Sequence, residues 1–180
     1  MDQRLRRAWG RLVDGKARLL DAVGSRSEEV RGQRPRADAW AMIDVIEHLV
    51  RAEGGMGTAL AKEPTSDKPR VVPLGQGIRF LILRSVLKVN WRIKAPTPTI
   101  LPTRELGWAE LVRRWEDHRK EIEGWLHGVD LRLLETPRFR HPIVGWLTVP
   151  RALTFAADHL DHHAAQVSRI ERDLLAREHS

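Results

Sequence analysis

The chain has 180 residues, a formal net charge of +7, no cysteine and no tyrosine. That length suits a single domain spanning residues 1–180, large enough to bury a core without covalent staples. Without cysteine there are no disulfides, no thiolate metal sites and no thiol nucleophile, which leaves histidine-based metal chemistry at the head of a short catalytic vocabulary.

The first predicted element is a helix over residues 3–23, with Leu5, Trp9, Leu12, Ala17, Leu19 and Leu20 at its apolar positions. Met1-Asp2-Gln3-Arg4-Leu5-Arg6-Arg7 is charged and no apolar h-region follows, so no signal peptide is expected. A polar connection over 24–36 ends at Pro35. The second helix begins near Asp38 and carries Trp40, Met42, Val45, Ile46, Leu49, Val50 and Met56; the cluster Gly54-Gly55-Met56-Gly57 is a place where it could end or bend. Residues 61–77, with three prolines and two glycines, read as a loop. A third helix is expected over 78–94. Its basic residues Arg84, Lys88 and Arg92 stand four apart, opposite Ile82, Val86, Val89 and Ile93, and read as a solvated face; contact with phosphate or an acidic substrate is the alternative. These charges also interrupt the most apolar stretch and rule out a spanning helix, so a soluble cytoplasmic protein without membrane contact is expected.

Pro96, Pro98 and Pro102 impose an extended connection. A fourth helix starts after Thr103, with Glu105 in its first turn, and runs to residue 128 with Trp108, Leu111, Trp115, His118, Ile122 and Trp125 as its stripe. Residues 130–148 read as loop with one short turn, and no strand-period segment stands out. The last helix covers 149–177, with Thr148 as N-cap and Pro150 in its first turn. The pattern is all-α: an antiparallel bundle of four main helices with an additional short helix.

The last helix carries the most informative segment, Asp158-His159-Leu160-Asp161-His162-His163. At ~100° per residue, Leu153, Ala156, Leu160, Ala164, Val167 and Leu174 form one buried arc, with His163 inside it, His159 on its shoulder and His162 toward the polar side. Two imidazoles four residues apart share a helix face and suit one metal ion. Two core histidines satisfied by hydrogen bonds are the alternative reading. A third ligand must come from elsewhere, and His48 is the best candidate, with Asp44 one turn earlier to orient its ring. Glu53 falls on the buried face of the same helix and needs a partner: the metal site or an arginine. His118 reads as a core residue, and His141, in a loop before Pro142, as a candidate for the site.

These residues, in this order, resemble the DinB/YfiT-like family of metalloenzymes. The segment from Trp40 through His48-Leu49 to Glu53 is similar to the family's second-helix signature. The run His141-Pro142-Ile143-Val144-Gly145-Trp146-Leu147-Thr148, continuing to Phe155, His159, His163 and Gln166, is similar to its C-terminal signature, and the proline-rich connection followed by Trp115 and Arg119 also fits. One departure is Ala41, where the family commonly has a capping Ser; Asp38 is the substitute expected here. The resemblance implies an up-down-down-up four-helix bundle, often a homodimer, and a divalent metal held by three histidines that map onto His48, His159 and His163.

Three neutral nitrogen ligands leave coordination positions open, the catalytic rather than the structural arrangement. The expected activity is metal-dependent hydrolysis, or transfer of a low-molecular-weight thiol by analogy with the family, on a small-molecule substrate. Glu53 and His141 are the candidate proton-transfer residues. Imidazole ligands suit zinc or nickel first, with iron, manganese or copper behind. A non-catalytic, metal-binding stress-response bundle is the alternative. Nucleic acid is not an expected partner, because no recognition signature accompanies the charge.

Overall fold

The computed structural model describes residues 1–62, 76–88 and 97–178. Its helices are α1 (Gln3–Gly24), α2 (Glu28–Gly32), α3 (Met42–Ala61), α4 (Gln76–Lys88), α5 (Trp108–Gly128) and α6 (Val149–Glu178), with 3-10 turns at Pro98–Ile100 and Leu131–Leu133. An antiparallel hairpin of β1 (Pro137–His141) and β2 (Gly145–Thr148) precedes α6. The fold is an all-α bundle, as the periodicity predicts. α1 packs chiefly on α6 and α3 on α5, while α3 and α6 meet across the middle and α4 lies on α6.

The core follows the stripes read from sequence. Leu5, Leu12, Met42, Ile46, Leu49, Leu111, Trp115, Leu126, Leu153 and Leu160 are all fully buried, and their removal from water is the main term holding the bundle together. α3 runs straight through its glycine cluster. Cβ atoms there would sit 2.6 Å from His118 Nε2 at Gly54 and 2.8 Å from Ile122 Cγ1 at Gly57, so the small residues let α3 and α5 approach closely.

Four local expectations are corrected. α3 starts at Met42, not near Asp38. Asp38 is exposed, and the Asp44 carboxylate accepts the Ala41 N–H at 2.9 Å, a back-bond that Ala41 cannot reciprocate. α5 starts at Trp108 rather than after Thr103, because the Thr103 and Arg104 amides donate to Glu47 on α3 instead of entering a helix. Residues 137–148 form a hairpin where a loop was expected. Its inward residues on β1 are Arg138 and His141, so no apolar alternation marks the strand, and Gly145 (φ 81°) supplies the left-handed residue of the turn.

The fourth correction concerns α4. Phe80, Leu83 and Leu87 face the bundle, whereas Ile78, Leu81 and Ile82 are exposed. Arg84 does not lie on a solvated face: it turns onto α6 and pairs with the buried Asp158 carboxylate, which also binds Arg11 at 2.8 Å. The need of a buried carboxylate for counter-charge outweighs the exposure of three aliphatic side chains. Val89, Arg92, Ile93 and Lys94 lie outside the described residues. None of the described helices is long and apolar enough to cross a membrane.

Glu53 links α3 to α5. Its carboxylate accepts Arg119 Nε at 2.6 Å, Arg119 Nη2 at 2.9 Å and Trp115 Nε1 at 2.9 Å, all buried. Arg119 is also stacked near the Trp9 and Trp115 rings. Replacing Glu53 by Ala strands a buried guanidinium and should cost about 3–5 kcal/mol, whereas the double replacement Glu53→Leu, Arg119→Met should cost clearly less. Urea unfolding of the four-member cycle measures this; equal, additive losses would show that the pair is not coupled.

Candidate metal centre

Three imidazoles from two helices meet inside the bundle. His48 comes from the middle of α3, and His159 and His163 from successive turns of α6. One nitrogen of each lies within 4.8 Å of the others. His159 Nε2 is 3.3 Å from His48 Nε2 and 3.1 Å from His163 Nε2. His48 and His163 are buried, and His159 is half-buried on the shoulder of its arc.

The outer nitrogens of two rings are tied down. His48 Nδ1 donates to the Ile100 carbonyl at 2.8 Å, and His163 Nδ1 donates to Gln166 Oε1 at 2.7 Å. Because both acceptors take a proton, both rings carry hydrogen on Nδ1 and present a bare lone pair at Nε2. Those two lone pairs face His159 Nε2, which can donate one hydrogen to only one of them. A cation satisfies all three nitrogens at once. For metal–nitrogen bonds of about 2.0–2.1 Å, tetrahedral coordination puts neighbouring nitrogens roughly 3.3 Å apart, close to the separations found. The donor set therefore fits a divalent first-row cation.

Burial pushes the imidazole pKa of His48 down, and those of His159 and His163 well down, with repulsion among neighbouring histidines adding to the effect. All three rings thus stay neutral, the state in which imidazole is a ligand. The surroundings are aromatic. The Trp40 ring lies 5.1 Å from that of His48 and 6.4 Å, nearly parallel, from that of His163, while Phe155 stacks on His159 at 5.4 Å.

The other candidates fall in different places. Among the described residues, the partners of Glu53 lie on α5, with both oxygens occupied as described above. His141 packs edge-on against Phe155, on the ring's approach to His159, at 4.5 Å between centroids. Its Nδ1 accepts the Ile143 and Val144 amides at 3.2 and 3.4 Å, which puts the ring proton on Nε2, and burial pushes its pKa down to about 4. His118 packs on Gly54 at the α3–α5 contact. His162 is buried against α4, with Nδ1 3.0 Å from the Leu87 carbonyl, rather than turned toward solvent as its phase predicts. Asp44 does not orient His48; it forms a two-pronged pair with Arg104. The residue that does orient His48 is Ile100, through its backbone, and a main-chain carbonyl leaves no trace in side-chain pattern. Gln166 was legible as part of the C-terminal signature.

Two outcomes are expected. Replacing His163 by Ala should abolish stoichiometric metal, and replacing His162 by Ala should leave it bound; elemental analysis reads both, and equal loss would put the wrong α6 face at the site. Metal-free protein should hold its stability above pH ~6.5 and lose it as pH falls toward 4. Over that interval unfolded histidines, with pKa ~6.5, take up protons that the buried rings refuse. A urea midpoint unchanged between about pH 7.5 and 5 would contradict neutral burial. No curated protein and no solved structure matches the chain. The sequence profile of the DinB superfamily matches residues 11–167, a span that takes in α3, the hairpin and all three clustered histidines. With that match over most of its length, the chain belongs to the DinB superfamily.

Proposed function

We propose that the protein is a metal-dependent enzyme whose His48, His159 and His163 hold one divalent cation, zinc or nickel first, and that it acts on a small molecule by hydrolysis or by transfer of a low-molecular-weight thiol. The observation that carries this reading is the convergence of three neutral imidazoles with two bare Nε2 lone pairs facing the third ring. When bound, the ion supplies Lewis acidity that activates a weak nucleophile or polarises a carbonyl.

The chain's own residues favour the thiol branch. Among the described residues, the buried carboxylates Asp44, Glu47, Glu53 and Asp158 each pair with an arginine, so none is free to take a proton from water. A thiol, with a pKa of ~8.5, needs far less help to ionise than water does. Glu53 in this reading holds α3 to α5 and exchanges no proton. His141, neutral at pH 7 with its hydrogen on Nε2, serves as a hydrogen-bond donor toward substrate rather than as a base. Trp40 and Phe155 give the site apolar walls that exclude water.

That each described buried carboxylate is paired with an arginine also favours a second reading, in which the bundle binds its ion without turnover. The test is elemental analysis of untagged protein, then assays with thiol donors and with ester or amide substrates, before and after chelation. Stoichiometric metal with chelator-sensitive, thiol-dependent turnover is expected. Metal with no turnover on any class would favour the second reading, and protein that never holds metal would sink both.

A further inference from the structure

We infer that Glu47 is a positioning residue for the metal centre: it clamps the connection before α5 onto α3, so that the Ile100 carbonyl fixes the tautomer and tilt of the neighbouring His48 ring. The inference rests on the three-histidine reading of the site.

His48 reaches inward from α3, but its outer nitrogen is held by a different part of the chain, the turn Pro98–Ile100, at 2.8 Å. That turn lies against α3 with its three residues at least partly exposed, so little burial holds it there. Polar bonds that tie the connection down lie three and four residues on. Thr103 donates to Glu47 Oε1 through its amide (3.0 Å) and its hydroxyl (2.9 Å), and the Arg104 amide donates to Glu47 Oε2 at 2.9 Å. Arg51 closes the cluster, binding Glu47 Oε1 at 3.0 Å and Thr103 Oγ1 at 2.7 Å. Arg104 then reaches back to Asp44 with two bonds, at 2.6 and 2.7 Å.

Two features mark this cluster as more than a loop anchor. Arg104 is the one described non-glycine residue with positive φ, 61°. A left-handed backbone conformation of that kind at a residue other than glycine persists where surrounding bonds over-determine it. Glu47 is also fully buried and adjacent in sequence to His48. Successive residues on a helix point about 100° apart. One turn of α3 therefore presents His48 to the α6 histidines and Glu47 to the connection that orients His48. Carboxylate and imidazole act on the same backbone segment from two sides.

The chemical consequence is specific. With the Ile100 carbonyl in place, hydrogen on Nδ1 is favoured and Nε2 is left bare for a cation. With the connection loosened, His48 is free to take the other tautomer and turn its N–H toward the site. A partner of this kind is worth roughly 10–100-fold in metal affinity.

The test uses full-length protein with cobalt(II) alone as probe, and nitrogen-15 histidine spectra of metal-free protein. Wild type should show His48 as a single Nδ1–H tautomer and bind one cobalt. Glu47→Gln should give mixed tautomers, a shifted cobalt absorption band and affinity weakened about 10–100-fold. Thr103→Val, which removes the two hydroxyl bonds of the cluster and leaves both backbone amide bonds to Glu47, covers the case in which Glu47→Gln does not fold and should move both readouts the same way by less. Leu126→Ala, a core truncation on α5 far along the chain from the clamp, should lower the melting temperature and leave tautomer and cobalt affinity unchanged. Wild-type tautomer and affinity in both clamp variants would overturn the inference and leave the metal reading standing. A wild type that binds no cobalt would overturn both.

Discussion

The structure depends on one electrostatic requirement: a carboxylate taken out of water must meet a cation. Asp44, Glu47, Glu53 and Asp158 are all buried, and each is matched by arginine, from Arg104, Arg51, Arg119, and Arg11 with Arg84 respectively. An unmatched one would cost several kcal/mol, a sizeable share of a typical domain's total stability. Three of the four run between elements, so they fix geometry as well as charge, while Glu47 with Arg51 lies within α3. Glu53 ties α3 to α5, Asp158 ties α6 to α1 and α4, and Asp44 ties α3 to the connection before α5.

That requirement also shapes the site. The buried carboxylates next in sequence to the histidines, Glu47 and Asp158, are already committed to arginine rather than to the imidazole rings. Desolvation, with repulsion among the neighbouring histidines added, then keeps the imidazoles neutral. Neutral rings crowded within about 3 Å are unfavourable by themselves, because their lone pairs face one another. The same crowding is what a cation needs. The bundle holds a polar, aromatic-walled centre in an apolar interior by fixing two of the three rings through their outer nitrogens, one to a main-chain carbonyl and one to Gln166.

Periodicity made the bundle legible. The ends of α1 and α6 lie within a residue or two of those expected, because long amphipathic stripes bounded by Asp2 and by Thr148 determine them locally. The three clustered histidines were legible for the same reason: four-residue spacing puts His159 and His163 on one face, and His48 lies on the buried face of α3. Where the reading failed, a buried polar group had taken the place of an apolar one. β1 turns Arg138 and His141 inward, so its strand period carries no hydrophobic signal. α4 faces the bundle through Phe80, Leu83, Leu87 and Arg84, leaving Ile78, Leu81 and Ile82 outside.

The sequence by itself therefore determined the main helices, the apolar stripes of α3, α5 and α6, and the shared face of His159 and His163, since each depends on spacing within a single element. Which carboxylate meets which arginine was decided only in three dimensions, as were the commitment of Glu53 to α5, the burial of His162 beneath α4 and the carbonyl that orients His48. Apart from Glu47 with Arg51, those outcomes turn on pairs separated by 50 or more residues, as in His48 with Ile100 and Glu53 with Arg119. Electrostatic partners at such range are chosen by packing, and packing has no period along the chain.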